Sequence, residues 1–450
     1  MSSPISSSTA VKQPSSDNSP PSELALREIP GGYGFPFFGP IKDRLDYYYS
    51  QGEVEFFRSR MKKFNSTVFR CNMPPGPFLA RNPQVICLLD AISFEILFDN
   101  SKIEKKNVLD GTYMPSTAFT GGYRTCAYLD PSEPNHAVLK GFFLTQLAKL
   151  HSKFIPGFRQ SISGLFTSLE QELSDKGKSN FNALNDIMSF DFVFRLFCDK
   201  NPSETPLGPT GGPKMITRNF TAVFFNSAGP ILDEAEKIGI KRDEACHNLV
   251  FLAGFNAYGG MKALFPALIK WVATAGEDIH RRLAAEIRAV VKEEGGVSTA
   301  ALEKMCLTKS VVYEALRIEP PVPYQYGKAK QDILIKNHDS NFLIKKDEMI
   351  FGYQPIATKD SKVFEDPENF VADRFLSEGE KLIKYVYWSN GRETDDPTVD
   401  NKQCPGKDLV VLLSRLMLVE FFLKYDTFSV EIGKLLLGSL VTFKSLTKAT

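Results

Sequence analysis

Apolar residues in this chain recur mainly at the three-to-four spacing of helices, and strand-like runs are short and few. The pattern predicts helices over 44–63, 84–97, most of 140–200, a long one from Asp243 past Trp271, one over 302–318 that stops at Pro320-Pro321, and one over 409–423. Residues 66–71 and 78–80 flank Met-Pro-Pro-Gly-Pro and read as a hairpin, and short strands are predicted at 333–335, 342–344 and 349–353. Two loops stand out: 107–124, which lacks periodicity, and the Pro/Gly-rich 201–216. The Gly259-Gly260 pair and Pro266 are expected to interrupt the helix that begins at Asp243. This mixture is mainly α with small β-sheets.

Composition narrows the class. The chain has 450 residues, 43% of them hydrophobic, and its 54 basic and 53 acidic side chains leave a net charge of +1. No basic face or tail argues for nucleic acid as a partner. The seven cysteines are dispersed without a Cys-x-x-Cys and read as reduced intracellular thiols, six of them in the core. No run reaches the ~18 uncharged apolar residues of a membrane span. Residues 1–28 are rich in Ser and Pro and read as a disordered tail, leaving 29–450 as one unit. Asp17, Glu23 and Glu28 weigh against a plastid transit peptide, so a cytoplasmic site, or a peripheral one on a membrane or lipid body, is expected. The apolar, Pro/Gly-punctuated arm from Ile29 to Pro40 either presses on a lipid surface or packs on the body.

Candidate chemistry centres on Cys404. Asn401-Lys402-Gln-Cys404-Pro-Gly406 precedes an apolar helix, and a helix mouth favours a thiolate, which can ligate haem iron. His136 and Lys140, one turn apart at the start of a helix, can hold a pair of carboxylates or simply face solvent. Asn256 is the polar side chain of the stretch Leu252-Ala-Gly-Phe255-Asn-Ala-Tyr-Gly-Gly260, and either positions a ligand or is a satisfied core amide. Glu314 and Arg317 share a helix face.

Taken in order, Glu314-x-x-Arg317, Asn369-Phe-x-x-x-Arg374-Phe and Gly391…Cys404-Pro-Gly406 resemble the cytochrome P450 superfamily. The resemblance implies that family's fold, a haem b with Cys404 as axial ligand to iron, and a buried network of Glu314, Arg317 and Arg374. It also implies propionate contacts from His136, Lys140, Lys328 and Lys402. Within the superfamily the chain resembles the plant fatty acid hydroperoxide-metabolising branch, through Pro-Ser-Thr-Ala-Phe-Thr-Gly-Gly-Tyr-Arg124, Phe255-Asn-Ala-Tyr-Gly-Gly260 and Asn401-Lys-Gln-Cys404.

Three departures from ordinary monooxygenases support that placement. The acid and hydroxyl of their central helix are replaced by Asn256 and Ala257, nine extra residues lie between Gly391 and Cys404, and no membrane anchor is visible. An enzyme needing neither dioxygen, NADPH nor a redox partner is implied, acting on a polyunsaturated fatty acid hydroperoxide. Asn256, Phe255 and Gly260 then line the reacting centre. Leu109 stands where the family carries an aromatic residue in allene oxide synthases and an aliphatic one in hydroperoxide lyases. That favours a lyase, the Phe255-Asn-Ala-Tyr-Gly-Gly260 variant resembles the subgroup acting on both 9- and 13-hydroperoxides, and allene oxide synthase is the alternative. A monooxygenase and a non-catalytic haem or lipid-surface protein are the remaining readings, the last because 213–233 is shorter than the family's roof over the substrate channel.

Overall fold

The computed structural model of the chain describes residues 24–73, 82–108, 116–207, 218–435 and 438–450. Its first elements are α1 (Phe38–Leu45), α2 (Glu53–Phe64), β1 (Val68–Asn72), β2 (Gln84–Leu88), α3 (Ala91–Phe94) and β3 (Ile103–Glu104). The helical body follows: α4 (Pro134–Lys176), β4 (Ser179–Asn180), α5 (Phe181–Cys198), α6 (Arg218–Ser227), α7 (Gly229–Lys237), α8 (Arg242–Phe251), α9 (Gly259–Ala275), α10 (Glu277–Glu293), α11 (Thr299–Lys304) and α12 (Cys306–Ile318). Then come β5 (Tyr324–Ala329), β6 (Ile333–Lys336), β7 (Asn341–Ile344), β8 (Met349–Tyr353), α13 (Gln354–Ala357), β9 (Tyr387–Trp388), β10 (Gly391–Arg392), α14 (Lys407–Lys424), β11 (Tyr425–Lys434) and β12 (Ser439–Lys448).

One large core joins α4, α5, α8–α12 and α14. Beside it lies a five-stranded sheet in the order β1-β2-β8-β5-β3, with β2 and β8 parallel and its other pairs antiparallel. Both sheet faces are covered. Val68, Ile86, Leu88 and Ile350 pack on one side, and Phe69, Val85, Cys87 and Phe351 on the other.

That double burial explains a sequence expectation that fails. Gln84–Leu97 was predicted as one helix, but Gln84–Leu88 is a strand paired with β1, and only 91–98 is helical, as α3 and a 3-10 turn. A strand buried on both faces loses its polar alternation and reads as an unbroken apolar run. β1 does form a hairpin, but with β2; the proposed partner 78–80 lies outside the described residues. The predicted helix 44–63 splits at Gly52, whose φ of 83° suits glycine. The helix 302–318 breaks at Met305. Disorder was expected to residue 28, yet Arg27 donates to the carbonyls of Asn65 (2.9 Å) and Phe64 (2.7 Å), and Leu26 bridges Asn341. Cys306, expected in the core, is exposed.

Candidate functional site

Cys404 sits in a loop held by many hydrogen bonds. Its N–H donates to the Ser389 carbonyl (3.1 Å), and its carbonyl accepts from Lys407 N–H (3.3 Å), the first residue of α14. Before it, the nine-residue insertion folds back on the body. Arg392 pairs with Glu95 (2.7 Å). The Gln403 amide donates to the Arg392 carbonyl (2.6 Å), and a Cβ on Gly391 would stand 2.5 Å from Gln403 Cδ, so a larger residue there would have to displace the Gln403 side chain. Asn401 Oδ1 accepts from Thr398 N–H and Gln403 N–H, and its amide donates to the Asp396 carbonyl (2.7 Å). Burial pushes the Cys404 thiol up, against the Gly406 N–H and the Lys140 charge, which pull it down. Its ionisation therefore calls for a cation at its partly open face.

Around this loop, four basic side chains converge with little acid. His136 and Lys140 come from α4, Lys402 from the loop and Lys105 from the segment after β3; all are buried. Burial lowers each of them, and their mutual repulsion adds to the effect. Lys105 falls to about 7, Lys140 to about 8, Lys402 to about 8 and His136 to about 4. Asp130 is a carboxylate that opposes this, acting on Lys105, Lys402 and His136. Lys140 Nζ donates to the Asn401 carbonyl (2.5 Å) and Oδ1 (2.8 Å), Lys402 Nζ to the Cys126 (2.9 Å) and Leu129 (2.6 Å) carbonyls, and Lys105 Nζ to the Tyr326 carbonyl (2.7 Å). Each ammonium has three donors, so each keeps at least one unused. His136 Nδ1 meets the Val399 carbonyl (3.2 Å), and its Nε2 is buried without a partner among the described residues. A group bearing two carboxylates beside a thiolate-bound metal is the complement of this donor set, and an iron porphyrin has that form.

Lys328 does not join the cluster. It lies partly exposed on β5 and pairs with Glu104 (2.9 Å), because its register position directs it to the β3 edge. Lys105 takes part instead. The sequence concealed it in the run Lys102-Ile-Glu-Lys-Lys106, which resembles a solvated face.

The helix carrying Asn256 is continuous, and its irregularity is not at the glycine pair. Leu252–Tyr258 is a π-helical segment joining α8 to α9, while Gly259, Gly260 and Pro266 all lie inside α9. Tertiary packing outweighs the ~1 kcal/mol helical cost of each glycine. π segments widen the turn and are frequent at functional sites. Here the segment presents Phe255, 58% exposed, and Asn256, also exposed; among the described residues the Asn256 amide has no hydrogen-bond partner. A Cβ on Gly260 would meet nothing within 4 Å. Upstream, Asn248 accepts from Cys126 N–H (2.8 Å) and Phe251 packs edge-on against Tyr128. Lys402, two residues before Cys404, holds the same 126–129 turn from the other side. Loop and helix are thus tied through one short segment. Leu109 lies outside the described residues, as does 213–217; α6 and α7 occupy the rest of the shortened region and pack on α8.

Glu314, Arg317 and Arg374 meet in the core. Arg317 grips Glu314 with two parallel bonds of 2.7 Å, and Arg374 Nε donates to the same carboxylate at 2.9 Å. Arg317 also donates to the Thr358 and Pro367 carbonyls, and Arg374 to those of Glu365 and Asp366. The turn-rich segment 358–374 is thereby fastened to α12.

Comparison with known proteins agrees with this geometry. The cytochrome P450 family model matches residues 274–426, which contain Glu314, Arg317, Arg374 and Cys404. Allene oxide synthase 3 of Solanum lycopersicum is 58% identical over 95% of this chain and 95% of its own. That alignment runs over 469 positions, more than this whole chain contains, so part of the relative has no counterpart here. Allene oxide synthase 1, chloroplastic, from the same plant is 50% identical over 98% of this chain and 91% of its own, and a divinyl ether synthase of Nicotiana tabacum is 50% identical over 95% and 98%. The chain belongs to the cytochrome P450 family, with that family's mainly α fold and haem-thiolate cofactor, in the branch that holds the allene oxide and divinyl ether synthases.

Proposed function

We propose that the protein is an allene oxide synthase, converting a polyunsaturated fatty acid hydroperoxide to an allene oxide and water without dioxygen, NADPH or a redox partner. The 58% identity to allene oxide synthase 3 carries this reading. It replaces the lyase expectation, which rested on Leu109 and on the likeness of the Phe255–Gly260 stretch to a subgroup that contains both lyases and synthases. Forming an allene oxide or a divinyl ether from a hydroperoxide removes one water; chain cleavage does not. The names of the relatives therefore favour dehydration.

Haem held by the Cys404 thiolate supplies the one-electron chemistry that breaks the O–O bond. The chain's own residues do the rest. His136, Lys105, Lys140 and Lys402 offer their unused donors to the two propionates, and the grip on Cys404 fixes the thiolate. Asn256, whose amide has no partner among the described residues, orients the peroxide by hydrogen bonding. Phe255 lies beside it and stacks on Phe251, giving the apolar chain of the substrate an aromatic wall. Ala257 offers no hydroxyl, so this helix lacks a proton relay for dioxygen.

The test is product analysis of haem-loaded protein given 9- and 13-hydroperoxides of linoleic acid without NADPH. Ketols, formed when water opens an allene oxide, are expected. Short aldehydes with oxo-acids overturn the proposal in favour of the lyase, and divinyl ethers in favour of the third activity.

A further inference from the structure

We propose that Cys71 and Cys87 are a redox-active dithiol that closes to a disulfide when a small alkyl hydroperoxide reaches Cys71. Contact is the first observation. The two sulfurs lie 3.1 Å apart, about 1 Å beyond the ~2.05 Å of a disulfide bond. Both belong to the sheet face that carries Phe69 and Val85. β1 and β2 run antiparallel, with Cys71 opposite Val85 and Cys87 opposite Phe69, so the two cysteines are diagonal neighbours. Their wide separation in sequence is why no Cys-x-x-Cys pattern announces the pair.

The strands can follow the closing bond. Diagonal neighbours in a sheet stand ~7–8 Å apart at Cα, at the upper limit of what a disulfide spans. The right-handed twist brings one diagonal closer than the other, and the sulfur contact marks this as the near one. β1 is an edge strand, and Cys71 is its last residue but one. A bond made across a diagonal is strained, and strained disulfides are the readily reduced ones that serve as switches. The strand end it would pull on is a joint. Asn72 donates from its N–H to Asp43 (2.9 Å) and from its amide to the Tyr33 carbonyl (2.9 Å), and Arg70 N–H donates to the Pro30 carbonyl (2.8 Å).

Access separates the roles of the two sulfurs. Cys71 lines a cavity of about 580 Å³ whose other walls include Tyr33, Asp43, Arg60 and Arg70, whereas Cys87 is completely buried. Burial and the neighbouring Cys71 sulfur push the Cys87 thiol well up, so Cys87 keeps its proton and Cys71 is the attacking sulfur. The Cys71 thiolate takes the distal oxygen of the hydroperoxide. The O–O bond breaks, the other oxygen leaves as an alkoxide that picks up a proton to become an alcohol, and Cys71 becomes a sulfenic acid. The Cys87 sulfur then attacks Cys71, the S–S bond forms, and the sulfenic oxygen leaves as water with the Cys87 proton. One hydroperoxide gains two electrons, and the two thiols lose two. The step needs no haem and does not depend on which product the haem site releases.

The test uses haem-loaded full chain and tert-butyl hydroperoxide, with imidazole on the iron so that the haem does not consume the oxidant. After quenching and unfolding, the parent should have lost two of its seven thiols. A tryptic map should show peptides 71–81 and 82–102 joined, and dithiothreitol should release them. Cys87→Ala removes the resolving thiol, so dimedone, which traps sulfenic acid, should label Cys71. In Cys71→Ala the label on Cys87 should be at least about tenfold weaker. A Soret band equal to the parent's reports folding. If an alanine variant loses haem, the map of the parent decides. No joined peptides in the parent, thiols lost elsewhere while Cys71 and Cys87 stay free, or dimedone on Cys87 and not on Cys71 each overturns the proposal.

Discussion

Glu393→Ala should loosen the thiolate loop without touching the haem pocket. The Glu393 carboxylate, nearly buried, accepts from Tyr313 Oη (2.8 Å) and Trp388 Nε1 (2.5 Å), and its carbonyl accepts from Lys407 Nζ (2.9 Å). Trp388 adjoins Ser389, which holds Cys404 N–H, and Lys407 N–H holds the Cys404 carbonyl. Glu393 therefore links both groups that fix Cys404. Truncation strands two buried donors at ~1–3 kcal/mol each. Against this, the buried carboxylate is itself costly, as its raised pKa shows, and removing it offsets part of that loss. Before that offset the loss is about 2–6 kcal/mol, a large part of the ~5–15 kcal/mol that holds a typical protein folded. Urea unfolding of haem-loaded protein, followed by circular dichroism, measures the stability. The carbon monoxide adduct of the ferrous protein reports whether the thiolate remains bound. Because the folded pKa is raised, Glu393 stabilises most below the ordinary glutamate value and less as pH rises through the shifted one; the deficit of Glu393→Ala should grow as pH falls through that window. An unfolding free energy within about 0.5 kcal/mol of the parent's, with an unchanged carbon monoxide spectrum, would refute the reasoning.

Glu314→Ala leaves two guanidinium groups buried without an acid and should cost at least ~3–5 kcal/mol, so thermal melts are expected to show a protein that folds poorly or retains little haem. Asn256→Ala should lower kcat/KM for the hydroperoxide about tenfold to a hundredfold while the Soret band and melting temperature stay put, since the amide has no partner in the fold to lose. Haem binding should load protons onto the buried lysines and release one from the Cys404 thiol, whose pKa is raised. Lys105, Lys140 and Lys402 lie depressed at about 7, 8 and 8, and propionates beside them favour the charged forms, so net proton uptake should grow as pH rises from about 7 to 9. Titration calorimetry in buffers of different ionisation enthalpy would show this, and a buffer dependence that stays the same across that range would contradict it.

Most helices were legible because one apolar stripe per helix leaves a clear period, as over 302–318 and 409–423. Of the five-stranded sheet, β1 and β8 were legible as short strands, but β2 was not, because it is covered on both faces, and β5 was hidden within the Pro-rich approach to it. At the site, Cys404 and the pair Glu314 and Arg317 announced themselves through local spacing. Lys105 and Glu393 did not, since their roles depend on burial by partners far away in the chain. Lys328 misled for the same reason: a lysine near the right place carries no mark of which edge its strand will face. The π segment was also invisible, since a single residue of extra winding leaves no compositional trace.

That extra winding works as a phase shifter. An α-helix turns ~100° per residue, so one residue more or less between two anchored stretches rotates one against the other by that amount. Upstream, Asn248 and Phe251 must face the 126–128 turn; downstream, Leu264, Leu268 and Val272 must face the large core. The π segment lets both alignments coexist on one rod. Deleting a single residue between Leu252 and Tyr258 would let the rod relax to a regular helix at the expense of one alignment or the other, whatever the identity of the residue removed. In this segment length is under tighter constraint than chemistry, and natural variation there should consist of substitutions, with insertions and deletions excluded.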